Sequence, residues 1–249
     1  MTEQHTTAGP LGNGTTQSAS SDSLLISYLS LRKAVGIIGV SLPIVLVLGN
    51  WWIFHSNAIE DSISYYYYSG MRGVFVGSLW AIGVFLLSYR GYETRDAIAG
   101  RLACVFALGV ALFPTAREPG TCDIVHVFTV GRGGCDVEHL VSLVHATCAS
   151  FLFLTLAYFS LFLFTETHPN RKQEMTKKKR ERNIVYYICG WIIVASVAAI
   201  LVLHIGLRLS RFGPIPVLFG FESLAVVSFG VSWLVKGEFV LKDQRLQST

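Results

Sequence analysis

Six long apolar runs, separated by polar segments, dominate the pattern of hydrophobic and polar positions along the chain. A helix needs roughly 17–25 predominantly apolar residues to cross the hydrocarbon core of a bilayer, and the runs are close to that length. The pattern therefore predicts an all-α fold, a six-helix transmembrane bundle. The predicted spans are about Ala34–Phe54, Gly73–Tyr89, Ile98–Thr115, Leu140–Thr165, Asn183–Leu207 and Val217–Val235.

Polar segments flank the predicted bundle at both ends of the chain. Residues 1–31 begin with a stretch rich in Ser, Thr and Gly. Such a stretch cannot bury enough apolar surface to offset its ordering entropy, which predicts a disordered cytoplasmic N-terminal tail. We expect the six-helix transmembrane domain over residues 32–238 and a cytoplasmic C-terminal tail over residues 239–249.

The charged residues follow the rules of membrane topology. Only 14% of the 249 residues are charged and 52% are hydrophobic, whereas a soluble domain carries about 25% charged residues. Fifteen of the 20 Lys and Arg residues lie on connections that would share one face of the bilayer. The positive-inside rule places that face and both termini in the cytoplasm, which predicts a multi-pass protein of the cell membrane. The net charge of +4 is then a topology signal and does not indicate nucleic-acid binding.

Several ionisable residues fall near the outer ends of the predicted spans. His145, His204 and Glu222 should each lie roughly 5–9 Å below the outer boundary, at about 1.5 Å per residue, and Asp61 and Arg72 lie at the same face. An ionisable group within a span is costly and marks a possible functional site. One interpretation is a polar pocket open to the outer leaflet, with Glu222 and His145 as acid and base. The other is a structural pair, such as Glu222 with His204 or Arg72.

The long outer loop carries a second set of chemically capable side chains. They are Cys122, His126, Cys135 and His139. Two Cys and two His could close a tetrahedral zinc site, but cysteines in an oxidising compartment tend to pair. We therefore favour a disulfide between Cys122 and Cys135 and expect no cofactor. Zinc in this loop, two free thiols, and a haem between His145 and His204 remain alternatives.

A basic segment directly precedes the fifth span on the predicted cytoplasmic side. Its cations are Lys177, Lys178, Lys179, Arg180 and Arg182. Each cation close to an anionic membrane surface contributes about 1 kcal/mol of attraction. The segment predicts contact with lipid headgroups, although the same residues also serve as the topology signal. Membrane lipids are the partners that the sequence indicates, and it leaves protein partners open.

The order of short motifs along the chain resembles uncharacterised bacterial six-helix membrane proteins and, distantly, the eukaryotic DRAM-like family. The motifs lie at Asp61–Tyr66, Arg72–Gly77, Ala107–Thr115, His145, Ser160–Thr165, Arg182–Tyr186, Phe221–Ser223 and Trp233–Glu238. In this chain Asp61 precedes the Ile-Ser pair, whereas the DRAM-like pattern has the acid after it. The resemblance implies a link to membrane lipid handling without a settled enzymatic activity. It favours Asp61, Arg72, His145 and Glu222 as the functional residues.

Three functions fit these observations. No Walker loop, His-Glu-x-x-His or Gly-x-Ser-x-Gly motif occurs in the sequence. The leading hypothesis is a non-enzymatic protein that binds or organises membrane lipid through the outer pocket around His145 and Glu222. The first alternative is a lipid-headgroup hydrolase or transferase, in which Asp61, His145, His204 and Glu222 hold a metal or act as acid and base. The second is a small-solute transporter coupled to protons through Glu222.

Overall fold

The structure, a computed structural model, confirms the predicted all-α fold with six helices. It describes residues 13–56, 58–89, 93–116, 135–166 and 177–241. The helices are α1 (Asn13–Trp52), α2 (Arg72–Leu87), α3 (Thr94–Leu112), α4 (Cys135–Tyr158), α5 (Lys177–Ala199) and α6 (Val217–Lys236). Single π-helical segments, Phe159–Leu163 and Ile200–Gly206, extend α4 and α5, and a 3-10 helix covers Ser64–Tyr68.

The six helices form a closed ring. Each helix packs against its neighbours in the chain, and α6 packs back against α1. A buried hydrogen bond from the Ser160 hydroxyl to that of Ser232, 3.0 Å long, also joins the end of α4 to α6 across the ring. Among the helices α6 lies deepest, because only Leu224 among its large apolar side chains is exposed.

The chain enters and leaves the bundle at the same end. An Nη1 atom of Arg32, in α1, donates to the backbone carbonyl of Lys236, the last residue of α6, over 3.3 Å. Nearby, Arg95 at the start of α3 forms a 2.8 Å ion pair with Glu166, which follows α4. We call this the Lys236 end of the bundle. The opposite end, where α6 begins, is the Glu222 end.

Small residues bring α1 and α6 into close contact. A Cβ atom added to Gly39 would lie 3.0 Å from the Cα of Gly230, and one added to Gly230 would lie 2.8 Å from the carbonyl oxygen of Gly36. Without a hydrophobic force between helices in lipid, such close backbone packing is a main source of helix association. The contact therefore closes the ring.

The outward faces of the helices are those of a membrane protein. Four stretches among the described residues are long and apolar enough to cross a bilayer: Tyr28–Trp52, His139–Leu163, Lys177–Gly206 and Val217–Lys236. Helix α2 is a shorter apolar helix, and α3 carries three charged residues in its first eight positions. Both nevertheless expose apolar side chains outward, since Trp80, Leu87, Leu102 and Val105 are 42–62% exposed.

The structure shows three features that the sequence prediction did not include. Helix α1 begins at Asn13, ahead of the domain boundary predicted between residues 31 and 32. A residue added to an existing helix forms one backbone hydrogen bond without the cost of a new nucleus. That boundary itself stays a prediction. The segment between α5 and α6 contains two paired antiparallel strands, Arg211–Phe212 (β1) and Ile215–Pro216 (β2). Tyr66 and Tyr67 pack into the core.

Candidate functional site

Glu222, near the start of α6, is hydrogen-bonded to the loop between α1 and α2. Its side chain is 8% exposed, and its Oε2 accepts a hydrogen bond from the backbone N–H of Ile63 at 2.7 Å. The amide of Ser64 also interacts with this carboxylate. These amides begin the 3-10 helix Ser64–Tyr68, and the first N–H groups of any helix lack intrahelical partners. The carboxylate therefore acts as an N-terminal cap supplied from another helix.

Further contacts hold the same loop in place. The backbone N–H of Phe219 donates to the carbonyl oxygen of Asp61 at 3.0 Å, and an Arg211 Nη2 atom in β1 forms a 3.0 Å ion pair with the exposed Asp61 carboxylate. The rings of Tyr66 and Phe219 lie 6.2 Å apart. Burial raises the pKa of Tyr66 to about 12, so its hydroxyl stays protonated at any physiological pH.

His145 joins α4 to the C-terminal end of α3. The side chain is buried, and its Nδ1 lies 2.6 Å from the carbonyl oxygen of Phe113. A carbonyl oxygen can only accept, so Nδ1 carries the proton and donates. One turn earlier the Ser142 hydroxyl accepts from the backbone N–H of Ala116 at 3.1 Å. His145 thereby satisfies a carbonyl group that the end of α3 leaves without an intrahelical partner. Ser142 satisfies an N–H group of the segment that follows α3.

Arg72 and His204 take no part in these contacts. An Arg72 Nη2 atom donates to the Tyr67 hydroxyl at 2.6 Å, and the guanidinium lies 4.1 Å over the same ring. His204 belongs to the π-helical end of α5, and its buried Nδ1 has no hydrogen-bond partner among the described residues. Neither side chain is hydrogen-bonded to Glu222.

An apolar cavity of about 50 Å³ lies inside the ring, below the capped loop. Helices α1, α2, α3, α4 and α6 all contribute to its wall. The apolar lining includes Leu42, Phe75, Leu79, Leu152, Phe153 and Phe229. Glu222 is the one ionisable residue of the lining, next to Ser64. The cavity thus combines an apolar body with a single polar end.

The predicted polar residues share the Glu222 end, but they are held separately there. The described part of the chain shows Glu222 bound by loop amides, where the sequence suggested His204 or Arg72 as a structural partner. The acid–base pairing of Glu222 with His145 stays a prediction. The disulfide also stays a prediction, because Cys122 and the side chain of Cys135 lie outside the described residues. Within the described ranges, no group of three or more His, Cys, Asp and Glu side chains could hold a metal.

Sequence reasoning missed two parts of the site. The apolar residues of the cavity wall cannot be recognised in the sequence, because a leucine that lines a cavity and a leucine in the packed core occur in the same kind of apolar run. The backbone amides that bind Glu222 are equally invisible, since every residue except proline has one. The position of Glu222 among apolar neighbours was the one sequence feature that indicated the site. It identified Glu222 but not the groups that bind it.

Together the fold and the site define a helical membrane protein with an internal apolar cavity. Comparison with known proteins adds no closer assignment: no protein-family model, no curated protein and no solved structure matches this chain. The resemblance to DRAM-like proteins therefore stays a prediction.

Proposed function

We propose that this protein crosses the membrane six times and binds the apolar chain of a membrane lipid in the cavity inside the ring. The observation that carries the proposal is the composition of the cavity wall, which is apolar except for Glu222 and Ser64 at one end. A void inside a bundle lacks dispersion contacts on one side. An apolar chain that fills it gains those contacts.

The polar end favours a lipid whose headgroup donates a hydrogen bond. A carboxylate offers about four acceptor positions, and the loop amides of Ile63 and Ser64 account for two donors. A hydroxyl or amine of the lipid could use the remaining acceptor capacity of Glu222. The cavity of about 50 Å³ is smaller than the roughly 150 Å³ cavity known to hold benzene. Binding a chain therefore requires the surrounding helices to move slightly apart.

Filling the cavity should remove the lipid. Ala149 on α4 lines the cavity, and in Ala149→Leu the added isopropyl group would occupy the space the chain needs. We expect wild-type protein purified in mild detergent to carry a defined lipid class by mass spectrometry, and the variant to carry about tenfold less, a loss equivalent to 1.4 kcal/mol. Ala146→Leu, on the exposed face of the same helix, is the matched control and should keep the lipid.

Equal lipid content in the two variants would contradict the proposal, as would wild-type protein without any enriched lipid. The enzyme and transporter alternatives stay predictions, and no contact among the described residues favours either of them.

The proposal also includes the orientation of the protein in the membrane. The chain enters and leaves at the Lys236 end, and Lys177–Arg182 begins α5 at that end, which supports placing it in the cytoplasm. A fluorescent protein that matures only in the cytoplasm, fused after Thr249, should fluoresce. The same reporter fused after Gly213, following five helices, should stay dark. Fluorescence in the second fusion and not in the first would reverse the orientation.

A further inference from the structure

A cluster of cations converges inside the Lys236 end of the bundle. Arg32 comes from α1, Lys179 and Arg182 from α5, and Lys236 from α6. The three other cations lie close enough to Lys236 to repel its ammonium group. Asp96 on α3 attracts it, but one Asp96 oxygen already accepts the backbone N–H of Glu93 at 2.9 Å. Four cations and one carboxylate therefore lie close together at this end of the bundle.

The structure holds the Arg32 guanidinium in a fixed position. It lies 4.2 Å from the centre of the Tyr28 ring and 5.6 Å from that of Tyr89. Such cation–π contacts orient the plane of the group and leave its N–H edge free to bind other ligands. One Nη1 donor reaches the Lys236 carbonyl at 3.3 Å, whereas the buried Nε has no partner among the described residues.

Lys236 has a similar surplus of donors. Lys236 is half-buried, and its ammonium group is 3.4 Å from the carbonyl oxygen of Phe164 and 5.2 Å from the centre of the Phe164 ring. A distance of 3.4 Å is at the weak limit for a hydrogen bond to a cation, and an ammonium group has three donors. Bringing several cations together at a partly buried place is costly unless an anion joins them.

We propose that the Lys236 end carries a binding site for a phosphate group, formed by Arg32 and Lys236 with Lys179 and Arg182 adding positive charge. The guanidinium edge with its vacant Nε suits a phosphate, which arginine binds through two parallel hydrogen bonds. The site is separate from the lipid-chain cavity, because Glu222 and Lys236 are 14 positions apart on α6, about 21 Å along a helix. It does not depend on the function proposed for that cavity.

Two phosphate probes distinguish the sources of the ligand. Binding of inorganic phosphate and of dihexanoyl phosphatidic acid to the full-length protein in neutral detergent is measured by calorimetry at constant ionic strength. Dihexanoyl glycerol, which has the same chains without phosphate, is the control ligand. Binding of both phosphate probes would show that phosphate itself suffices, and binding of phosphatidic acid alone would assign a lipid headgroup. Failure of both phosphate probes would overturn the proposal.

Matched variants separate a defined site from general positive charge. Arg32→Gln should weaken phosphate-probe binding about tenfold, as expected for the loss of a charge-assisted bidentate contact. Arg182→Gln, on a different helix, should also weaken phosphate-probe binding. It replaces Arg32→Gln as the test if that variant does not fold. The control is Lys177→Gln with Arg180→Gln, because both cations are exposed at the start of α5. An equal or larger loss in this control would show diffuse attraction and overturn the site.

Discussion

Gly230→Ala is expected to destabilise the bundle by about 2–3 kcal/mol, at the upper end of the cost of overpacking a core. The added Cβ would lie 2.7 Å from the backbone nitrogen of Val40 and 2.8 Å from the carbonyl oxygen of Gly36. These are backbone atoms, so no side-chain rotation can relieve the contact and α1 and α6 must separate. Titration with sodium dodecyl sulfate from a mild detergent, followed by circular dichroism, measures the shift in the unfolding midpoint.

A second glycine serves as the control for helix propensity. Gly77 lies in α2, and a Cβ added there would meet nothing within 4 Å. Gly77→Ala should therefore leave stability unchanged or raise it by up to about 1 kcal/mol. If Gly230→Ala unfolds at the same detergent fraction as the wild type, the close contact between α1 and α6 does not exist in the membrane protein.

Glu222→Ala is expected to release the loop between α1 and α2 and to cost about 2–4 kcal/mol, since buried amides lose their acceptor. Ile63 and Ser64 are 5% and 7% exposed, so water does not replace the carboxylate easily. Hydrogen exchange measured by mass spectrometry should show faster exchange over residues 62–68. Glu222→Gln keeps an acceptor oxygen and should show a smaller effect on both stability and exchange.

The control for this second prediction removes a carboxyl group elsewhere. Glu181 lies near the start of α5 and is half-buried, and no hydrogen bond involving its side chain occurs among the described residues. Glu181→Ala should leave exchange over residues 62–68 unchanged. Unaltered exchange of this loop in Glu222→Ala would refute the cap, and it would leave the lipid cavity without a fixed polar end.

The helices were predictable because lipid imposes a simple constraint on the sequence. Each span needs a long apolar run, and the six runs locate all six helices, with ends that differ by a few residues apart from the start of α1. The pair of strands Arg211–Phe212 and Ile215–Pro216 was not predictable. Two residues are too few to show the alternation of polar and apolar positions by which strands are identified.

The chemistry of the sites was predictable only one residue at a time. Glu222 stood out as an acid in an apolar run, but its partners are backbone amides of a loop 159 positions away. Arg32 and Lys236 were accounted for as topology signals at the ends of two spans. The two residues are 204 positions apart in the sequence and come into contact because α1 packs against α6. The order of apolar runs does not specify which helices pack together.

Ring closure between the first and last helices also determines when the bundle can be completed. During synthesis α1 is inserted first, and its contact surface around Gly36 and Gly39 has no partner until α6 has left the ribosome. A long-range contact of this kind forms late because its loop-closure entropy is large. Nascent chains that stall before α6 would expose an unpaired helix surface inside the bilayer.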